Sequence, residues 1–202
     1  MTRTCRKWMI AALTFGALIA GPAAAAHAAD APPAALTLGH DTILQPNYYY
    51  CGPAAVRNAM TAHGVNANLH QLARELGTTT SGTDSSYDIT RVLNAWTSKD
   101  RYRTVEIPGQ RATRPQIERL QADIVRTINR GDAIVANVAG TVRDTNGDVH
   151  SYPGGHYIAI VGYDEEGRVA KIADSADWVG SPEYEVRADI LAHWIATRGY
   201  SA

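Results

Sequence analysis

Apolar residues recur along the first half of the chain with the spacing of amphipathic helices. Helices are predicted at about residues 52–63, 69–76 and 87–98, and from Thr113 to just before Gly131. Asn68 is placed to cap the second helix, and Thr113 and Gln116 have the spacing of a capping box. Glycine commonly ends a helix, and it follows three of the four segments. The first half of the chain is therefore predicted to be mainly helical.

From Asp132 onward, short apolar runs rich in β-branched and aromatic residues replace the helical pattern. Strands are predicted at about 102–107, 133–138, 156–163, 168–174 and 184–186, with a helix near 188–196 and a final extended segment. Residues 164–167 form a turn, so the strands on either side of it should make an antiparallel hairpin. Helices followed by antiparallel strands predict one α+β domain of two packed halves with a cleft between them.

The N-terminus has the pattern of an export signal. Basic residues within the first seven positions precede an apolar run from Trp8 to Ala20, and the small-residue stretch Ala23–Ala29 follows. The apolar run is too short to span a membrane comfortably. We therefore predict a signal peptide over residues 1–29 and a secreted domain over 30–202, either extracellular or associated with the cell wall. Cleavage is expected after one of three alanines, Ala26, Ala28 or Ala29.

Loss of the signal peptide would remove Cys5, one of only two cysteines, and would leave Cys51 without an intramolecular disulfide partner. Secreted proteins usually pair or bury their thiols, so a lone cysteine is a candidate reactive group. The formal net charge of the full chain is −1, and no basic run is present. This balance argues against nucleic acid, or an anionic membrane after signal cleavage, as the partner.

The segment QPNYYYCGPAAV, from Gln45 to Val56, carries the strongest chemical signal. Cys51 lies where an extended, tyrosine-rich run meets the predicted start of a helix, and Pro53 suits a first helical turn. Backbone N–H groups and the helix dipole favour thiolate over thiol at that position. Gln45 could direct an amide N–H toward an oxyanion that forms beside Cys51. A small apolar cysteine buried in a helix is the alternative reading of this segment.

His156 and Asp174 fall in the predicted hairpin. If Asp164 pairs with Arg168, then Ile158 lies opposite Asp174, and His156 and Asp174 are diagonal neighbours on one face of the sheet. A slip of one residue would separate them. In this register Asp174 could accept a hydrogen bond from one imidazole nitrogen while the other nitrogen faces the cleft, as an orienting carboxylate does in acyl-transfer catalysis.

These residues occur in the order found in papain-like hydrolases, and more narrowly the chain resembles the C39-like cysteine peptidases of bacteria. The resemblance rests on three motifs: Q-x5-C-G at Gln45–Gly52, GGHYIAIVGYD at Gly154–Asp164 and IADSAD at Ile172–Asp177. It implies a papain-like α+β fold, with an N-terminal helical half packed on a C-terminal antiparallel sheet.

The resemblance also implies a role for each matching residue. Gln45 would supply the oxyanion hole, Cys51 would attack, His156 would act as base, and Asp174 would orient the imidazole. The family often has Asp-Pro at the last motif, whereas Ser175 follows Asp174 here. Asp177 is therefore a reserve candidate for the orienting role.

Together these features predict a secreted cysteine peptidase that acts on a peptide or protein substrate. The same apparatus would serve a transpeptidase or acyltransferase, and an idle peptide-binding or wall-binding module would keep the same fold. Candidate substrate contacts are Tyr50, Gly155 and Trp178, although Tyr50 could equally pack in the core and Trp178 could cap it. The sequence carries no signal for an oligomeric state.

No cofactor or metal ion is expected. The stretch Asp144–Asp148 lacks the spacing of an EF-hand loop and is better interpreted as a hairpin turn at Asn146-Gly147. His63 and His70 are predicted on different helices without acidic or cysteine partners at metal-ligand spacing.

Overall fold

The structure is a computed structural model that describes Met1 and residues 31–97, 100–176 and 181–202. Apart from Met1, the predicted signal peptide lies outside the described residues, and so do Asp177 and Trp178. No helix in the described ranges is long and apolar enough to cross a membrane.

The helices of the described chain lie close to the predicted positions. They are α1 (Cys51–Thr61), α2 (Leu69–Glu75), α3 (Ser86–Trp96), α4 (Arg114–Asn129) and α5 (Ala188–Ile195). Both predicted caps are confirmed. The Asn68 side chain accepts the backbone N–H of His70 at 2.9 Å, and the Gln116 side chain accepts the backbone N–H of Thr113 at 2.7 Å. These bonds satisfy N–H groups that the first turn of a helix leaves unpaired.

The strands form one antiparallel sheet. They are β1 (Leu36–Thr37), β2 (Thr104–Ile107), β3 (Ile134–Arg143), β4 (Val149–Asp164), β5 (Val169–Ala173), β6 (Glu183–Arg187) and β7 (Arg198–Ser201). The strand order is β2-β7-β3-β4-β5-β6, and β1 pairs with β4. The predicted extended segment at the end of the described chain is thus an inner strand, held between β2 and β3.

Helices cover both faces of this sheet, because successive strand residues point to opposite sides and both sides are apolar. On one face, α1 to α3 bury Val56, Met60 and Leu93 against Ala159 of β4. On the other face, α4 and α5 pack around a second cluster that includes Leu120, Ile158, Ile172 and Trp194. The cleft lies between the start of α1 and the part of β4 that carries His156.

The predicted register of the β4–β5 hairpin is wrong at the turn and correct near its far end. Asp164 pairs with Val169 rather than with Arg168, because the turn residues Glu165 and Glu166 both have positive φ. A bulge between Ile160 and Gly162 then shifts the pairing by one residue, so that Ile160 pairs with Ile172. The bulge restores the register in which His156 and Asp174 are same-face neighbours.

The β3–β4 ribbon extends well beyond the two predicted strands at 133–138 and 156–163. Pairing continues through a polar stretch as far as Arg143 and Val149, where the Thr141 and Ser151 hydroxyls lie 2.6 Å apart. Alternating apolar residues do not mark this part of the ribbon, so periodicity missed it. The turn at Asn146-Gly147 that closes it is confirmed: Gly147 has a φ of 94°.

Candidate active site

Cys51 is the first residue of α1, and its side chain is buried apart from a small exposed fraction. Position 52 requires glycine because Thr83 packs closely against it: a Cβ at this position would lie 2.3 Å from Thr83 Oγ1. The loop that contains Thr83 therefore packs directly against the start of α1. Part of the polar stretch 78–86 thus lies beside the site.

His156 and Asp174 are brought into contact by neighbouring strands. The Nε2 atom of His156 lies 2.7 Å from Oδ1 of Asp174, and both side chains are almost completely buried. The ring of Tyr152 lies against the imidazole, with ring centroids 4.0 Å apart. With Nε2 held by the carboxylate, the opposite ring nitrogen is the one available to the Cys51 thiol, and His156 lowers the pKa of that thiol.

The Asp174 carboxylate accepts hydrogen bonds on both oxygens. Besides His156, Oδ1 accepts the backbone N–H of Ala176 at 2.9 Å. Oδ2 accepts the hydroxyl of Tyr152 at 2.9 Å and that of Tyr184 at 2.7 Å. A buried carboxylate with this many donors is strongly stabilised in its ionised form.

The electrostatics of the site favour a thiolate beside an imidazolium. Burial alone would raise the pKa of Cys51, but the hydrogen bond and charge of His156, with the N–H groups of Tyr157 and Gly52, lower that pKa below its usual value. Burial alone would lower the pKa of His156, yet Asp174 and Cys51 raise it to about 9. Although burial opposes ionisation of Asp174, its hydrogen bonds keep the pKa of that carboxyl below the usual range.

Gln45 is buried and forms hydrogen bonds with Ser175, the residue that follows Asp174. Its backbone N–H donates to the Ser175 carbonyl, and its Oε1 accepts the Ser175 hydroxyl, both at 2.9 Å. Its Nε2 donates one hydrogen to the Asn47 carbonyl at 2.7 Å. Ser175 and Asn47 therefore fix the orientation of the Gln45 amide.

A cavity of about 160 Å³ lies beside the thiol. It is lined by Cys51, Ser81, Gly82, Thr83, Asp84, Asn137, Gly154, Gly155, His156, Tyr157 and Arg198. The predicted substrate contact Gly155 is thus at the cavity wall. Tyr50 is not among the lining residues; its hydroxyl lies 2.9 Å from Nδ1 of His70 on α2. The contact predicted for Trp178 falls outside the described residues.

Sequence reasoning missed four residues that now belong to the site. Tyr152 lies four positions before His156 on β4, in the part of that strand that the hydrophobic pattern does not mark. Tyr184 pairs with Ile172, but that register was not predicted. Asn137 and Arg198 come from β3 and β7, whose contact with the site depends on the order of strands in the sheet.

No group of three His, Cys, Asp or Glu residues in the described ranges is placed to hold a metal ion. The buried His150 instead pairs with Asp144, with Nε2 and Oδ2 3.2 Å apart. That contact lies within the hairpin closed at Asn146-Gly147.

A family sequence model matches this chain, and solved structures share its fold. A sequence model of the Peptidase_C39 like family matches residues 37–202. One solved structure of similar fold is a protein described as a C39-like peptidase from Bacillus anthracis, with 15% identity, 83% of this chain and 96% of that chain covered, and a TM-score of 0.53. Another is a double glycine motif protease from an AMS/PCAT transporter in complex with the leader peptide, with 12% identity, 81% and 91% coverage, and a TM-score of 0.52. No curated protein matches the sequence.

Proposed function

Because the chain belongs to the Peptidase_C39 like family of cysteine peptidases, we propose that Cys51, His156 and Asp174 are its catalytic triad and that Gln45 completes the oxyanion hole. The observation that carries this proposal is the pairing of a buried His156 with Asp174 at 2.7 Å, next to a thiol whose pKa is lowered. A cysteine that only packs in a helix has no need of such a partner.

The reaction follows from the protonation states of the site. The Cys51 thiolate attacks the carbonyl carbon of the substrate amide, and the carbonyl oxygen becomes an oxyanion. The His156 imidazolium then donates its proton to the departing amine as the C–N bond breaks, which leaves a thioester on Cys51. His156, now neutral, takes a proton from water, and the resulting hydroxide equivalent cleaves the thioester to release the acid and restore the thiolate.

The oxyanion is held by two donors in this proposal. One is the backbone N–H of Cys51 at the start of α1, where the helix leaves N–H groups unpaired. The other is the second hydrogen on Nε2 of Gln45, whose amide is oriented by Ser175 and Asn47. Donors that are fixed before the reaction stabilise the charge as it forms, without a reorganisation cost.

The substrate class in this proposal is a peptide. In support, the double glycine motif protease of similar fold was solved in complex with the leader peptide. Export is proposed from the sequence of residues 1–29 alone, and fractionation of the expressing cells tests it. Mature protein in the medium or the wall fraction, beginning after Ala26, Ala28 or Ala29, is the expected result. Retention of the full-length chain inside the cell would contradict it.

Digestion of a peptide library with the purified domain tests the activity. We expect new N-termini, identified by mass spectrometry, that are absent with Cys51→Ala. Addition of a simple amine separates hydrolysis from acyl transfer, because a transferase would yield mainly the new amide. No turnover by wild-type protein, together with peptide binding that Cys51→Ala retains, would contradict the proposal and favour an idle binding module.

A further inference from the structure

Arg198 places a half-buried guanidinium beside the thiol cavity. A Cβ on Gly155 would lie 3.4 Å from its Nη2 atom, so the cation packs against the residue that precedes His156. The Nε atom of Arg198 is buried and has no hydrogen-bond partner. Within the described ranges, the Arg198 side chain has neither a hydrogen bond nor an ion pair.

Other partly buried arginines of this chain do have such partners. Arg101 Nε lies 2.6 Å from Asp132 Oδ1, and Arg57 Nε donates to the Ala67 carbonyl at 3.2 Å. A cation withdrawn from water without a partner is unfavourable for folding. Buried polar groups that lack partners tend to mark sites where a ligand supplies the missing contact.

Arg198 lines the thiol cavity and also a second, neighbouring cavity. A second cavity, of about 340 Å³, is lined by Ser85, Tyr87, Pro108 and neighbouring residues, and it shares Asp84, Asn137 and Arg198 with the thiol cavity. Arg198 therefore lies where the two cavities adjoin. The acidic residues of the second cavity, Asp84 and Glu106, are exposed to solvent, and neither forms an ion pair with Arg198.

We propose that Arg198 binds a carboxylate of the substrate. A guanidinium presents paired N–H donors that match the two oxygens of a carboxylate, and the match is strongest where water is partly excluded. This inference rests on the proposed peptidase function and specifies its substrate class: peptides with a carboxylate close to the scissile bond. The carboxylate is either an Asp or Glu side chain or the C-terminus of a short peptide.

The experiment compares pairs of peptides that differ only in charge. Each peptide cleaved from the library is remade with Glu or Gln at every position near the scissile bond, and with a free or an amidated C-terminus. We expect wild-type protein to prefer the carboxylate member of one pair by about 10- to 100-fold in kcat/KM, as for hydrogen bonds to a charged group. A preference in the Glu/Gln pairs identifies an acidic side chain, and a preference in the terminal pair identifies a C-terminal carboxylate.

Variants assign this preference to one residue. Arg198→Gln should abolish it, and Arg198→Lys should retain part of it, because lysine keeps the charge and loses the paired donors. Arg103→Gln is the matched control, since Arg103 is exposed, lines neither cavity and changes the net charge equally. The ratio within each pair is independent of the fraction of active protein, so partial unfolding cannot mimic the result. Equal cleavage of every pair by wild-type protein, or an undiminished preference in Arg198→Gln, would overturn the inference.

A peptide-binding measurement distinguishes the proposed carboxylate site at Arg198 from the proposed peptidase activity. A panel of library peptides, chosen without regard to cleavage and made as Glu/Gln pairs and as free or amidated C-terminal pairs, is titrated into Cys51→Ala and into Cys51→Ala/Arg198→Gln by fluorescence anisotropy. Tighter binding of the carboxylate peptide that depends on Arg198, without any turnover by wild-type protein, would support the carboxylate site and contradict the proposed peptidase mechanism. Equal binding of both members would overturn the carboxylate site even if turnover were observed.

Discussion

Replacing Asp174 by asparagine removes the charge that faces His156 and keeps the shape of the side chain. In the part of the chain that the structure describes, Oδ1 of Asp174 accepts from His156 and from the backbone N–H of Ala176, whereas Oδ2 accepts from two hydroxyls, those of Tyr152 and Tyr184. A hydroxyl can rotate and accept, but the Ala176 N–H cannot. The new NH₂ group should therefore occupy the Oδ2 position, and His156 should keep its hydrogen bond.

The expected change in the pKa of His156 follows from the loss of one negative charge beside the imidazole. Hydrogen bonds to charged groups contribute about 1.5–3 kcal/mol and neutral ones about 0.5–1.5 kcal/mol. The difference of about 1–1.5 kcal/mol corresponds to about one pKa unit. We therefore expect the pKa of His156 to fall from about 9 to about 8 in Asp174→Asn. Turnover should also fall, but by less than the roughly 10⁴-fold seen in serine-hydrolase triads, because the thiol of Cys51 is already favoured as thiolate.

The assay is the pH dependence of kcat/KM on a cleaved peptide. Since His156 must be protonated to donate to the leaving amine, wild-type activity should decline above about pH 9, and the decline should begin about one unit lower in Asp174→Asn. Asp123→Asn is a matched control, because this buried carboxylate also accepts a tyrosine hydroxyl, at 2.8 Å from Tyr200, but lies on α4 away from Cys51.

If kcat/KM of folded Asp174→Asn declined at the same alkaline pH as that of wild-type protein, the orienting role of Asp174 would be contradicted. Asp177→Asn is expected to resemble wild-type protein. If Asp177→Asn were impaired and Asp174→Asn were not, the orienting role would belong to Asp177.

Two further substitutions test separate parts of the site. Gln45→Ala should lower kcat by about 10²- to 10³-fold with little change in KM, as expected for an oxyanion donor; a change confined to KM would make Gln45 a substrate contact instead. Gly52→Ala should lower both the thermal midpoint and the activity, because its Cβ would lie 2.3 Å from Thr83 Oγ1, and overpacking of this kind costs about 1–3 kcal/mol. A Gly52→Ala protein with wild-type stability would show that the loop is free to move aside.

Much of this fold was predictable because its signals are local. Helix caps at Asn68 and Thr113 and the apolar periodicity of the helices depend on residues close in sequence. The papain-like α+β fold and the C39-like family are both confirmed. The β4–β5 register was only partly predictable, since positive φ at Glu165 and Glu166 and the bulge near Val161 have no signature in hydrophobic periodicity.

The parts of the site that sequence reasoning missed come from distant strands. Tyr184 reaches Asp174 because β6 pairs with β5, and Arg198 reaches the cavity because β7 lies between β2 and β3. The bond between Gln45 and Ser175 joins residues far apart in the chain. Such contacts depend on strand order, which local patterns do not specify.

The pairing of a Cys51 thiolate with a protonated His156 at neutral pH is the feature on which the proposed mechanism most depends. Its most direct measurement is the rate of iodoacetamide alkylation at Cys51 between pH 6 and pH 8, with the modified peptide identified by mass spectrometry so that Cys5 is not counted. We predict a rapid rate at pH 6 that changes little up to pH 8, and a slow, pH-dependent rate in His156→Gln. A wild-type rate that rises about tenfold per pH unit across this range, as for an ordinary thiol with a pKa of about 8.5, would contradict this pairing.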